Sequence, residues 1–267
     1  MRLLDRLLGK RKDRRAASSV TVDDDAAMAR ARQAFDSKNY ATAFAIWRDL
    51  AERGVPRAQS NLAGLYSYGW GVPRDEAVAA SWFRRAADAG DTIAQQNLAL
   101  MHYEGRGTDG DLAEAARWYG KAAEGGLADA QNMLSWMYLE GVGVARDYGM
   151  AKRWAEAAAA QGNASARCRL GQIHHNAWGV TRDAAQAVHW FQLAAVQGDS
   201  EAQMMLGAAF HLGLGVAKDQ ALALRWLTLA AGRGNELAAG FLRRVEAVVT
   251  AEERVTAQSM LAPDKSP

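Results

Sequence analysis

A tryptophan returns every 36 residues along this chain: Trp82, Trp118, Trp154, Trp190 and Trp226. A fixed step of this size is the mark of a stacked-repeat protein, because each unit is one supersecondary element that buries its apolar face only against the next copy. Other columns keep the same step. Ala58, Ala94, Ala130, Ala166, Ala202 and Ala238 form one, and Leu62, Leu98, Leu134, Leu170, Leu206 and Leu242 a second. Gly71, Gly107, Gly143, Gly179 and Gly215 are followed by Asp75, Asp111, Asp147, Asp183 and Asp219, and Gly90, Gly126, Gly162, Gly198 and Gly234 close each unit.

Each column has a physical reason. In the unit from Pro56 to Asp91, Ala58, Leu62, Leu65 and Tyr66 fall at helical spacing, which predicts a first helix (A) over residues 57–68. Gly69-Trp70-Gly71 ends it, since glycine accepts the left-handed backbone of a helix terminus. Asp75 is placed to cap a second helix (B) with its carboxylate. Ala79, Trp82, Phe83, Ala86 and Ala87 give helix B its buried face, and Gly90 stops it. The recurring tryptophan reads as a structural peg between layers, facing alanines. Small residues at Ala63, Ala99, Ser135, Gly171 and Gly207 allow close helix approach.

Composition agrees. The 267 residues are 49% hydrophobic with four prolines, enough for a core and permissive of helices. Cys168 is the sole cysteine, so no internal disulfide forms, which points to a reducing compartment or indifference to redox state. No run approaches a membrane span of roughly 18–20 apolar residues. A net charge of +2 is too small to suggest a nucleic-acid partner. The charge is uneven: residues 1–15 carry +5, leaving −3 for the rest.

The stretches A-Q-Q-N-L-A-L-M-H-Y-E-G-R-G at 94–107 and D-Y-G-M-A-K-R-W-A-E-A-A-A-A-Q-G at 147–162 resemble the Sel-one-like repeat (SLR) family, a relative of the tetratricopeptide repeat (TPR). The resemblance covers five units: 56–91, 92–127, 128–163, 164–199 and 200–235. Residues 24–55 resemble a divergent TPR-like opening unit that keeps Ala43 and Gly54 in register. There Ile46 replaces the tryptophan, and Trp47 stands one place later. Residues 236–261 read as C-terminal capping helices, with a capping box from Thr250 to Glu253, and 262–267 as a tail. The expected fold is all-α: a right-handed solenoid of antiparallel helix pairs.

Sequences that look catalytic are absorbed by the repeat. Gly105-Arg106-Gly107-Thr108-Asp109-Gly110 spells G-x-G-x-x-G, but a helix rather than a strand precedes it and two of its glycines belong to repeat columns. His175 and His211 share a column in adjacent units, too far apart by helix packing to share one metal. Neither H-E-x-x-H nor clustered cysteines occur. Some SLR proteins look like penicillin-binding or β-lactamase-type proteins, but those relatives are cysteine-rich. This chain also lacks S-x-x-K, S-D-N and K-T-G. The expectation is no catalytic residue, no metal and no cofactor.

Recognition is expected where the period breaks. On helix A the offsets of 57, 60, 61, 64 and 67–68 vary from unit to unit and form a stripe opposite the apolar one. In helical solenoids the A helices line the concave surface. Tyr68, Tyr103, Asn132, Trp136, Arg169, His175, Met204 and His211 on that stripe mix apolar anchors with adaptable polar neighbours, suited to a protein or peptide segment. Cys168 on the stripe reads as an inert small residue. A second candidate is the N-terminal tail, residues 1–23. Leu3, Leu4, Leu7 and Leu8 share one helical face beside Arg6, Lys10, Arg11 and Lys12, which suits weak contact with an anionic membrane. Ala16–Val22 reads as a linker. The four leucines are too few and broken for a secretory signal, so the expected location is cytoplasmic, peripheral to the inner membrane surface if the tail binds. The leading reading is a non-enzymatic interaction scaffold or adaptor. The alternatives are a β-lactam-type amide hydrolase or penicillin-binding protein, and a peripheral membrane-docking module.

Overall fold

A computed structural model of the chain describes residues 22–261, which hold fourteen helices in chain order. The opening pair is α1 (Val22–Asp36) and α2 (Tyr40–Glu52). The repeats follow as α3 (Pro56–Tyr68) with α4 (Glu76–Asp88), α5 (Thr92–Glu104) with α6 (Leu112–Glu124), and α7 (Ala128–Glu140) with α8 (Tyr148–Ala160). Next come α9 (Ala164–Asn176) with α10 (Ala184–Ala195), and α11 (Ser200–Leu212) with α12 (Gln220–Gly232). The chain closes on α13 (Glu236–Glu246) and α14 (Ala251–Leu261). Among the described residues there is no strand, and no helix is long and apolar enough to cross a membrane.

The chain divides into two compact units, one through Gly110 and one from Asp111. In the first, each of α1 to α5 packs on its chain neighbour, and α3 also touches α5. In the second, each of α6 to α13 packs on its chain neighbour, α14 packs back on α12, and the A helices α7, α9, α11 and α13 form a continuous row in which each touches the next. Within each unit, repeat A helices such as α3 and α9 are thus covered by their own B helix, by the preceding B helix and by an adjoining A helix. Its buried set repeats: Ala58, Leu62 and Leu65 in α3; Ala130, Leu134 and Met137 in α7; Ala166, Leu170 and Ile173 in α9. Burying each such leucine stabilises by roughly 1.5–3 kcal/mol.

The caps are where the repeat columns place them. Asp75, Asp111, Asp147, Asp183 and Asp219 each accept a backbone N–H in the first turn of a B helix. Four of the five repeat A helices end on a glycine in the left-handed region, and in α9 that position is Ala177 at φ +60°. The next glycine along is needed for a different reason. A β-carbon at Gly107 would collide with the Glu76 carbonyl, and one at Gly143 with that of Leu112, so this loop rests directly on the start of the previous B helix. Thr250 and Glu253 form the capping box, with Glu253 Oε2 accepting from Thr250 N at 2.8 Å and Thr250 Oγ1 accepting from Glu253 N at 3.2 Å.

Three expectations change. The first helix begins at Val22, inside the segment read as tail and linker. Asp23, Asp24 and Asp25 in its first turn suit the positive end of the helix dipole, and Asp24 is buried against Arg53 at 2.6 Å. The tryptophan column is not uniformly a buried peg: Trp118 and Trp226 are buried, but Trp82, Trp154 and Trp190 are half-buried. Cations lie over several of these rings, Arg85 4.2 Å from the centroid of Trp82, Lys121 3.7 Å from Trp118 and Arg225 4.4 Å from Trp226. The true pegs stand one place later, at Phe83, Tyr119, Phe191 and Leu227, and Trp47 of the opening unit falls in that column. Its slip by one position is therefore a return to the buried face.

The third change is a buried polar column not anticipated from the sequence. Gln59, Gln95, Gln131 and Gln203 each donate Nε2 to a carbonyl at the end of the preceding B helix, those of Ala51, Ala87, Ala123 and Ala195, at 3.0–3.2 Å. Arg167 replaces glutamine in the remaining repeat and reaches Ala159 O at 3.4 Å. These bonds tie each A helix to the B helix before it.

Candidate functional site

The variable stripe of the A helices is more covered than its periodicity suggests. Ser60, Ser67, Leu139, Cys168 and Met204 are buried, while the offsets of 57 and 68 are exposed in every repeat. Met204 is the clearest correction: expected as an exposed anchor, it is 6% exposed and belongs to the apolar cluster of Leu224 and Leu227, because the neighbouring A and B helices close over it. In each compact unit, one concave site takes in residues of this stripe.

The site in the second unit is an apolar cavity of about 220 Å³. Met204, Met205, Ala208 and Leu212 from α11, Phe191 from α10 and Phe241 from α13 line it, with His175 at one edge. Its margin carries exposed apolar side chains, Leu212, Leu214 and Leu237, the last 69% exposed. Beside it, on the same stripe, lies a polar row. Arg169 donates Nη2 to Asn132 Oδ1 at 3.3 Å, and Gln172 donates Nε2 to Glu201 Oε1 at 2.6 Å. Burial pulls the Arg169 guanidinium below its ordinary range, opposed by nearby acids including Glu201 and Glu140. Burial pushes the Glu201 carboxyl up, with Asp199 adding to the effect. His175 is held below its usual value by burial and by the Arg182 charge. Burial, followed by Asp199 and Glu201, drives the Cys168 thiol far above its ordinary range, so it is protonated and not poised as a nucleophile.

The site in the first unit is an aromatic cavity of about 200 Å³ between α1, α2, α3, α4 and the start of α5. Tyr68, 65% exposed, stacks on Trp70 with ring centroids 4.6 Å apart, and Trp70 in turn stacks on Tyr40 at 6.0 Å. Phe35 meets Trp70 edge-on at 5.2 Å. Trp47 lines the interior at 3% exposure, and its indole Nε1 has no hydrogen-bond acceptor among the described residues. A buried donor left in that state costs about 1–3 kcal/mol.

Of the residues expected from sequence, Tyr68 lines the first cavity, and His175 and Met204 the second. Asn132 and Arg169 are joined in the polar row. Tyr103 and Trp136 are half-buried and line neither cavity, and His211 Nδ1 lies 2.9 Å from Gln220 Oε1. The leucine and lysine-arginine positions of residues 1–15 lie outside the described residues. The glycines of the G-x-G-x-x-G stretch serve the turn: Gly105 ends α5 in the left-handed region, and Gly107 abuts Glu76.

Sequence reasoning missed Trp70. Its column reads Trp70, Arg106, Val142, Trp178 and Leu214, and the first residue of the preceding B helix reads Tyr40, Glu76, Leu112, Tyr148 and Ala184. The pairs match in kind. Trp70 stacks on Tyr40 and Trp178 on Tyr148 at 6.3 Å, Arg106 meets Glu76 at 3.4 Å, and Leu214 and Ala184 share the apolar cavity. That matched variation was the signal available in the sequence. Glu76 is held below the usual carboxylate range, chiefly by its hydrogen bond from Arg74.

Helical hairpins with a variable A-helix face define an all-α repeat protein of the kind built for recognition. The Sel1 repeat family model matches residues 56–91, 92–127, 128–163, 164–199 and 200–235, and the chain belongs to that family. Sel1 repeat proteins are generally protein–protein interaction scaffolds. Among solved structures, the chain is similar to a Sel1 repeat protein from Oxalobacter formigenes, at 27% identity and TM-score 0.79, covering 90% of this chain and 99% of that one. It is also similar to c5321, a protective antigen present in uropathogenic Escherichia coli strains and displaying an SLR fold. That match is at 32% identity and TM-score 0.80 over 96% of this chain and 54% of the other, so this chain spans about half of c5321. Comparison with curated proteins finds no match.

Proposed function

We propose that the protein is a non-enzymatic interaction scaffold that receives a protein segment on the A-helix face of its repeats. The observation that carries this reading is the apolar cavity of the second unit, ringed by the exposed side chains of Leu212, Leu214 and Leu237. Apolar side chains kept at a concave surface cost solubility and gain nothing in the core; covering them with a partner's apolar anchor recovers about 25 cal/mol per Å² of area. The polar row of Asn132, Arg169, Gln172 and Glu201 beside the cavity supplies orienting hydrogen bonds.

The test is affinity capture from native lysate followed by mass spectrometry, with three forms of the protein compared. A partner held by the wild type and lost from Leu212→Asp/Leu237→Asp, with helical content unchanged, supports the assignment. Tyr103→Ala/Trp136→Ala reports on other positions of the stripe. Equal recovery by all three folded forms would remove the A-helix face as the binding surface.

A further inference from the structure

The two cavities are the same site of the repeat in two copies. Trp47, Gly64, Tyr68 and Ile93 line the first. Four 36-residue steps later in the chain, Phe191, Ala208, Leu212 and Leu237 line the second. Each cavity thus draws its wall from an A helix, the B helix before it and the next A helix: α3, α2 and α5 in the first unit, and α11, α10 and α13 in the second.

One column of the variable stripe tracks where such a cavity opens. It reads Gly64, Leu100, Trp136, Gln172 and Ala208, and the two cavities stand over its two smallest members. A β-carbon built at Gly64 meets nothing within 4 Å. At the same helix position Leu100, Trp136 and Gln172 carry long side chains, each half-buried, and none of the three lines either cavity.

The wall of the second cavity restricts what can enter. Among the described residues it holds no carboxylate, lysine or arginine, and burial with the Arg182 charge keeps His175 neutral at pH 7. A charged group placed there would lose its hydration with nothing to replace it. A dry apolar cavity of about 150 Å³ takes one benzene ring, so the cavity of about 220 Å³ has room for a larger apolar ring system. The first cavity is more polar, with Asn61 and Asn97 where the second has Met205 and Phe241, so a mainly apolar group is expected in the second.

We propose that the second cavity is a socket for one tryptophan side chain presented by a partner protein, and that Ala208 is the residue that opens it. The incoming ring supplies at this position what Trp136 supplies two repeats earlier. This rests on the scaffold reading and adds to it the identity of the anchor and the position that selects it.

The experiment uses the full chain with carbon-13 methyl-labelled methionine, and N-acetyltryptophanamide as the probe. The methyl resonances of Met204 and Met205, which line the cavity, shift and saturate as the probe is added. N-acetylleucinamide binds more weakly. Ala208→Trp, with helical content and melting temperature maintained, weakens the probe at least about tenfold, and in lysate capture it loses the partner that Leu212→Asp/Leu237→Asp loses. Ala208→Leu gives the same readings should the larger substitution not fold. Unmoved Met204 and Met205 resonances at millimolar probe overturn the proposal, as does undiminished binding in a folded Ala208 variant. Equal or tighter binding of N-acetylleucinamide overturns the tryptophan assignment. If folded Ala208→Trp keeps a partner that Leu212→Asp/Leu237→Asp loses, this inference falls and the scaffold reading stands. Probe binding that Ala208→Trp blocks, with equal capture by every folded form, removes the scaffold reading and leaves the indole socket standing.

Discussion

Gly171 lies beneath the ring of Phe191, so close that a β-carbon there would sit 2.5 Å from Cδ1 and Cε1. Gly207 stands in the same relation to Leu227, with its added β-carbon 2.7 Å from Cγ. In the repeat where the peg position is only Ala155, the facing residue is Ser135, whose hydroxyl donates to Ala151 O at 2.7 Å. Volume lost on one helix is recovered on the other, which is how close packing is kept through a diverged repeat.

Gly171→Ala should therefore destabilise by about 1 kcal/mol. Overpacking costs roughly 1–3 kcal/mol, and the better helix propensity of alanine returns about 0.5–1 kcal/mol. Gly120→Ala, where an added β-carbon meets nothing within 4 Å, should stabilise by the propensity gain alone. Urea denaturation of the two variants checks the opposite signs, and Phe191→Leu in the Gly171→Ala background should recover part of the loss.

Ala177 holds a left-handed backbone that glycine occupies at the matching position of the other four repeats. An alanine there costs about 1–2 kcal/mol. Ala177→Gly should stabilise, by about 1 kcal/mol once glycine's greater freedom in the unfolded chain is counted. Thermal unfolding should move upward; a downward shift would show that the Ala177 methyl makes a packing contribution larger than the strain.

Cys168 is buried, and burial with neighbouring carboxylates keeps its thiol protonated. Iodoacetamide at neutral pH should leave the native protein unmodified and alkylate it fully in guanidinium, as read by intact mass. Rapid alkylation of the native form would contradict both the burial and the absence of a poised thiolate.

His175 should titrate below the ordinary histidine value of 6.5, because burial and then the Arg182 charge disfavour the imidazolium. For a base with a depressed pKa, the unfolded chain takes up the proton first. The associated stability is thus present above pH 6.5 and is lost as pH falls through the folded value. Proton NMR of the ring C–H resonances measures the midpoint, and Arg182→Ala should raise it part of the way, leaving the burial effect.

Much of the fold was legible because its causes are local. Asp75 and its equivalents cap a helix through contacts within one turn, and Gly69 and its equivalents end one through their own backbone. The candidate site was legible only in part. Tyr68, His175 and Met204 were found because they break the period, yet Met204 proved buried, and Trp47 and Trp70 were passed over. Trp47 looked like a slipped repeat residue, and Trp70 like loop filling between two glycines. Neither position shows from sequence that the rings of α1, α2 and the α3–α4 loop meet.

By itself, the 36-residue period determined that this protein is built of antiparallel helix pairs, where the repeat helices start and stop, and which residues repeat as core. It assigned the tryptophan column to the interior, since a large apolar ring at a constant position is the natural candidate for a peg. Only the tertiary structure decided otherwise for Trp82, Trp154 and Trp190, and placed Phe83, Tyr119 and Phe191 in the innermost column. The physical reason is that periodicity identifies a residue's helix face to within about one position, whereas burial depends on the other helices that close over that face. Those contacts come both from the partner helix of the same repeat and from helices of the repeats beside it.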